Sequence, residues 1–486
     1  MLDARGYWIA RLVLLRGLGL VCLIAFLVAL NQFRALCGAR GLLPATNFMK
    51  QTPYRQNPSL FYLFPQDLAF TLAAWAGVVL SCLVLTGISD RYGTWLSMLI
   101  WALIWVLYMS FVNVGQTFYS FGWESILLEA MFFAIFFGSS RTTPQQIPIW
   151  LMRWLLFRVM FGAGLIKLRG DPCWRNLTCL DWHYETQPMP NPLSWFLFWS
   201  PEWTHKAGVL FNHFSELIVP FAYFLPQPIA TVAGIITIVF QASIMASGNL
   251  SWLNFLTIVL AVPTIDDRVW GWFLRLHVPT TLAPLRLELY AQYGIALLTA
   301  ALSIPVVINM FSARQVMNLN YNPFHLVGTY GAFGSVTRPR YEVVVEGTLD
   351  VSPGAGQWRE YEFKGKPTDL KRMPPQVAPY HLRLDWLMWF AAMSNYYDHP
   401  WFVAFAGKLL KADRPTLSLL KTDPFHGERP KYVRALLYEY HFTTPEERAR
   451  TGAWWTRTYR GVYLPPVSLE SPDFRNLLQT LAGGAQ

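Results

Sequence analysis

Apolar stretches of about 20 residues, the length needed to cross a bilayer core about 30 Å thick, recur throughout the first 311 positions of this 486-residue chain. They lie near 9–30, 68–88, 94–112, 116–138, 149–168, 208–225, 229–247 and 290–311, with a shorter ninth near 251–265. Lipid offers no water to an unpaired backbone group, so each stretch must close its hydrogen bonds as a helix. The charge content divides at the same place. Lys, Arg, Asp and Glu make up 31 of the 311 residues before position 312 and 37 of the 175 after it. The second share approaches the ~25% of ordinary soluble domains and the first falls far below it. The sequence therefore predicts a polytopic α-helical membrane bundle of about eight or nine spans in residues 1–311, followed by a small α+β water-soluble domain in 312–486.

The first apolar run is too long for a signal-peptide core and lacks a convincing cleavage site, so it reads as an uncleaved anchor. Arg5, Arg11 and Arg16 at its leading end favour a cytoplasmic N-terminus. Alternation then puts 31–67 and 169–206 outside, the turns 89–93 and 139–148 inside and, if the ninth span forms, the last domain outside. Trp174, Trp182, Trp199 and Trp203 in the 169–206 loop fit interfacial anchoring. The net charge of +10 forms no basic block, which argues against a nucleic-acid partner. Five cysteines do not make a disulfide scaffold: Cys22 and Cys82 sit in apolar runs, and Cys173 and Cys179 lie near each other in a polar loop.

After residue 312, the segments starting at Tyr341 and Trp358 alternate apolar with polar residues, as half-buried strands do, and Ser352-Pro-Gly-Ala-Gly356 between them is hairpin chemistry. Lys431–Phe442 reads as a longer strand. Thr444-Pro-Glu-Glu447 supplies an N-cap, a first-turn proline and a capping-box acid for a helix, and Leu382–Met393 and Trp401–Leu410 read as two more.

Ionisable residues inside the apolar runs are the candidates for function: Glu124 and Glu129 on the fourth span, Arg153, Arg158 and Lys167 on the fifth, His213 and Glu216 on the sixth. Each charge at mid-bilayer costs about 2.5–3.5 kcal/mol on insertion scales, so such groups turn inward and pair. Depth alone, at about 1.5 Å per residue, would let Arg158, Glu129 and Glu216 meet in one layer. Rotation sets Lys167 nearly opposite Arg158 and about 40° from Arg153, while His213 and Glu216 share a face. Two readings stand side by side: ion pairs that fix helix packing, or a polar cavity that holds a ligand or runs chemistry. Arg153 and Lys167 near span ends are also placed to snorkel. Gly162-Ala-Gly164 reads as close helix packing. No phosphate-binding, zinc-hydrolase or serine-esterase motif occurs, and neither a metal nor a cofactor is expected.

Tyr119-Ser-Phe-Gly-Trp-Glu-Ser125 with Leu128-Glu129, Phe161-Gly-Ala-Gly-Leu-Ile-Lys167 through Cys179, His183-Tyr-Glu-Thr-Gln-Pro-Met-Pro-Asn-Pro192, Tyr321-Asn-Pro-Phe-His-Leu-Val327 and Pro374-Pro-Gln-Val-Ala-Pro-Tyr-His-Leu-Arg-Leu-Asp-Trp386 resemble the lipase maturation factors. The resemblance spans about 115–470. It implies a multi-pass protein of the endoplasmic reticulum membrane whose lumenal C-terminal domain, in a chaperone-like role, helps secreted lipases fold and assemble. In a bacterial relative the membrane would be the inner one and the client another exported protein. Cys173 and Cys179 then become a local disulfide brace. A narrower pattern, Phe161 to Lys167 followed by Trp174, is similar to the membrane region of vitamin K-dependent gamma-glutamyl carboxylase, where an intramembrane lysine is the base.

Two functional classes follow. In the first, non-enzymatic one, the outer domain handles secreted clients while the bundle anchors it, and no catalytic residue is assigned. In the second, Lys167, His213, Glu216, Glu129 and Arg158 serve an intramembrane enzyme. Transport has no support, since the span pattern shows no internal repeat.

Overall fold

The computed structural model describes residues 3–354 and 356–483, without the side chains of 481–483. In chain order the principal helices of the first part are α1 (Trp8–Cys37), α2 (Asp67–Leu85), α3 (Thr94–Val114), α4 (Gly122–Ala134), α5 (Gln146–Arg169), α6 (Glu202–His213), α7 (Ile229–Ser247), α8 (Leu253–Ala261) and α9 (Arg286–Phe311). Six of them, α1, α2, α3, α5, α7 and α9, are long and apolar enough to cross a membrane. The remaining three expected spans are shorter or interrupted. The 116–138 stretch opens with a 3-10 turn at Gln116–Tyr119, and α4 itself has 13 residues. The 208–225 stretch continues α6 through a wide π turn at Phe214–Ile218 into Val219–Ala222. Pro220 has no N–H to give the Glu216 carbonyl, which is reason enough for the ladder to change its spacing there. The 251–265 stretch is the nine-residue α8 closed by a 3-10 turn containing Pro263.

Helix α1 is the axis of the bundle. Leu14, Leu18, Val21, Cys22, Ala25 and Phe26 are all buried by neighbouring helices. Helix α2 comes close because Gly77 faces the Phe26 ring; a Cβ at that position would lie 2.2 Å from a ring carbon. At one end of the bundle, Arg16 pairs with Asp90 at 2.8 Å and Trp8 Nε1 donates to the Ser140 carbonyl at 2.8 Å. There the Asp267 carboxylate accepts the Trp8 and Ala10 backbone N–H groups, capping α1 at its positive end. The loops 31–67 and 169–206 gather at the opposite end, with the C-terminal region.

That region holds an antiparallel sheet in the order β2-β1-β3-β4, from β1 (Arg340–Thr348), β2 (Arg359–Glu360), β3 (Tyr432–Phe442) and β4 (Trp455–Val467). Helices α10 (Arg383–Ala391) and α11 (Pro400–Leu410) precede β3, α12 (Pro445–Thr451) joins β3 to β4, and α13 (Pro472–Gly483) follows. Thr444 and Glu447 form the expected capping box. The expected hairpin is present, its turn residue Ala355 lying outside the described residues, but its second strand is two residues long because Tyr361 and Phe363 turn into the core. Strand β4 was not expected: Gly461, Pro465 and Pro466 and its register shifts hide the period, as befits an edge strand. Both faces of the sheet are covered. Val343 and Val345 belong to the main core with Phe402 and Phe405, while Val344 packs with Trp195 of the 169–206 loop.

Residues 312–339 do not form a spacer. Gln315 donates to the Gly162 carbonyl at 3.2 Å, and Gly162 leaves room for the Tyr330 carbonyl rather than for a helix. Gly164 of the same motif does face the α6 continuation at Leu217 and Glu216. The strongest tie between the two regions is Arg383 of α10. Its guanidinium donates to Glu124 Oε1 at 2.8 Å and to the Phe118 carbonyl at 2.6 Å, and lies 3.4 Å from the centre of the Tyr119 ring. Tyr108 holds the other Glu124 oxygen. Losing one member of a fully buried pair strands the other charge, which costs about 3–5 kcal/mol. Arg383→Met should therefore unfold in detergent at a clearly lower temperature than wild type, and Glu124→Gln/Arg383→Met should recover part of the loss; equal melting of Arg383→Met and wild type would contradict the assignment.

Candidate functional site

The seven ionisable residues of the apolar runs do not share one layer: four of them form two separate ion pairs, and the other three find partners elsewhere. Arg158 is fully buried and forms a two-pronged pair with Glu129; it also donates to the Gly328 carbonyl at 2.9 Å, and Tyr330 Oη donates to Glu129 at 2.8 Å. Glu216 is elsewhere, with Lys167: Nζ donates to its two oxygens at 2.6 and 2.8 Å and to Asn212 Oδ1 at 2.7 Å. Neither depth nor azimuth is shared: Arg158 and Lys167 are nine residues apart, about 13.5 Å along α5, and take opposite sides of it. Arg153 and Lys167 do not snorkel: both side chains are buried. Arg153 finds no carboxylate and donates instead to the Pro263 and Tyr223 carbonyls and the Tyr7 hydroxyl, at 2.9–3.0 Å. His213 Nε2 meets the Trp174 carbonyl at 2.9 Å, not Glu216.

Three of these partners, Arg383, Tyr330 and Asn212, lay outside the sequence candidates. Arg383 and Tyr330 sit in the charge-richer part of the chain, where a polar residue signals nothing about burial, although both fall in or beside the motif strings. Asn212 is four residues before Glu216 on the same helical face, a spacing that could have nominated it. Cys173 and Cys179 form a disulfide with Cα atoms 4.8 Å apart, packed with Trp174, Val209 and Val336. Among the described residues, no cluster of His, Cys, Asp and Glu could hold a metal ion.

The Lys167–Asn212–Glu216 cluster stands in the wall of a cavity of about 980 Å³. Helices α5, α6, α7 and α8, the 317–335 segment and α10 enclose it, so it lies where the bundle meets the C-terminal region. Its lining is mostly aliphatic and aromatic, with Trp174, Phe240, Trp386 and Trp389 among the largest side chains. Lys167 Nζ is 5.0 Å from the centre of the Trp174 ring, a cation–π contact. His183 is another wall residue, its ring edge against Phe333 at 5.0 Å between centroids. Burial, and then the nearby Lys167 charge, push the His183 imidazole down to about 4, so it is neutral at pH 7. Of the five residues expected to act together, the cavity collects Lys167 and Glu216 but not Glu129, Arg158 or His213; Arg153 and Glu124 of the wider polar set are not among its lining either.

Residues 9–272 match the family model for the lipase maturation factor transmembrane domain, and 326–465 that for the lipase maturation factor C-terminal domain. Lipase maturation factor 1 of Homo sapiens is 44% identical over 98% of this chain and 91% of its own length. Its Bos taurus counterpart is 44% identical over 96% and 90%, and lipase maturation factor 2 of Homo sapiens is 29% identical over 98% and 85%. No solved structure matches.

The neutral His183 fixes a pH response. An unfolded chain takes up a proton at this side chain near pH 6.5, whereas the folded one does so only near 4, so stability should fall as pH drops through that interval. His183→Phe should flatten the decline of melting temperature between pH 6.5 and 4, leaving a remainder from His325, which burial also lowers to about 4, and from His381 and His399, which burial lowers too; an unchanged slope would exclude the effect.

Proposed function

The chain belongs to the lipase maturation factor family, and from that membership we propose that it is a membrane-anchored folding and assembly factor for secreted lipases. The carrying observation is the match of both domain models in order along one chain, with relatives of that name aligned over nearly its whole length. In this reading all nine helices of the first part, the shorter α4, α6 and α8 included, form the membrane unit. Residues 312–486 are the water-exposed part, on the lumenal side of the endoplasmic reticulum or, in a bacterium, the outer side of the inner membrane. The client would be met by the C-terminal region, which exposes Tyr397, Tyr459 and Val462. The bundle would hold that region through the Arg383–Glu124 pair and the Tyr330–Glu129 contact.

The buried pairs support a structural role for the intramembrane charges. Lys167 Nζ already donates to three oxygens, which leaves none of its N–H directions free and no lone pair facing the cavity. A lysine engaged in this way is poorly arranged to take a substrate proton, so the carboxylase-like alternative is the weaker of the two.

Both statements are tested in cells deprived of their own maturation factors and supplied with a lipase. Full-length protein should restore secreted lipase activity, and a chain ending at residue 311 should restore none. At matched protein level, Lys167→Met/Glu216→Leu should retain most of the rescue, since an apolar pair of similar volume can replace a buried ion pair. Loss of rescue by a correctly folded double variant would instead support chemistry at Lys167.

A further inference from the structure

The cavity beside Lys167 has a polarity gradient that client handling does not explain. The Lys167–Asn212–Glu216 cluster stands toward the end of the bundle that carries the 169–206 loop. Lys167 is two residues from the loop-side end of α5 and donates to Asn212 of α6, and Asn254 is second in α8. From Lys167 back to Val159 the α5 wall descends about 12 Å toward mid-span, and the side chains along it, Met160 and Ala163 among them, are apolar.

Two further polar groups of the lining have unused capacity. The His183 ring has no hydrogen-bond partner among the described residues, although it is neutral and carries one donor and one acceptor. Gln241 spends its Nε2 on the Met160 sulfur at 3.2 Å, a weak acceptor, while its Oε1 accepts from Asn254 at 2.6 Å. The Lys167 and Glu216 charges neutralise one another, so the site offers hydrogen bonds without net charge.

We propose that this cavity is a binding site for an uncharged acyl lipid, with a carbonyl- or hydroxyl-bearing head at His183, Gln241 and Asn212, beside the Lys167–Glu216 pair, and its chain along α5 and α7. At about 980 Å³ the volume lies at the upper end of the roughly 300–1,000 Å³ usual for ligand pockets. A chain leaving the bilayer for the cavity exchanges one apolar surrounding for another and gains little, so the choice among lipids falls to the head. An anionic phosphate would bring a charge that the self-neutralised cluster does not balance. Entry from the membrane is open at the rim, where Ser243 of α7 and Phe390 of α10 are exposed. Because α10 forms part of the wall, a bound lipid would touch both the bundle and the C-terminal region.

The test uses the full-length protein in phosphatidylcholine nanodiscs with diacylglycerol carrying a photoreactive diazirine in its acyl chain, and no lipase present, so the outcome is independent of client handling. Cross-links are expected on 159–167 and 240–247 and should be competed by unlabelled diacylglycerol but not by phosphatidylglycerol. Ala163→Phe and Ile244→Trp, which fill the cavity from two helices, should each lower this labelling about tenfold, a shift of 1.4 kcal/mol in binding, while labelling of the outward-facing Leu72 and Trp75 stays constant. Either variant suffices if the other fails to fold. Labelling confined to outward positions, equal competition by phosphatidylglycerol, or a co-purified peptide protecting 159–167 would each overturn the proposal.

Discussion

A carboxylate inside a lipid-facing bundle has to be neutralised by a donor that another part of the chain delivers, and three such carboxylates organise this protein. Glu124 receives Arg383, Glu129 receives Arg158 and Tyr330, and Glu216 receives Lys167 and Asn212. Each acid thereby fixes the position of a different pair of segments. The cost of leaving any one unpaired in a low-dielectric interior exceeds the cost of most packing defects, so these pairings select one arrangement of helices against others that would bury as much apolar surface. Arg153 shows the other solution. Its charge is spread over two backbone carbonyls and a phenol at places where a proline or a helix end has left carbonyls unoccupied.

The same rule removes the distinction between anchor and working domain. Arg383 and Tyr330 both follow the last long apolar helix, yet their side chains complete acids that belong to α4. The sheet is likewise buried against Trp195 on one face and against its own helices on the other. A cavity lined by α5 to α8 below and α10 above is the product of this interlocking, since neither region alone supplies all its walls.

Helix content was legible wherever apolar runs were long, because length and hydropathy are properties of composition. The family resemblance was legible in motif strings now matched by two domain models. The count of spans was less so: α4 is short because a 3-10 turn precedes it, α6 and α8 because Pro220 and Pro263 interrupt their ladders, and an apolar average over 20 residues does not register such breaks. Among the candidate residues, the sequence indicated that Arg158 and Lys167 face opposite ways but could not say that Arg383, 259 positions from Glu124, would be its partner. Partners across such a distance are set by tertiary packing. The cavity was equally hidden, because its walls are ordinary apolar residues whose failure to touch one another is a property of three dimensions.

That separation has a consequence for biosynthesis. Glu124 leaves the ribosome long before Arg383 is made, so through the synthesis of more than half the polypeptide this acid is without its base. Insertion and maturation are thus two events: the helices can be laid down one after another, but the bundle becomes electrically complete only when the tail has emerged and folded back on it. Chains cut short before α10 would leave the ribosome with this acid unmatched by any arginine.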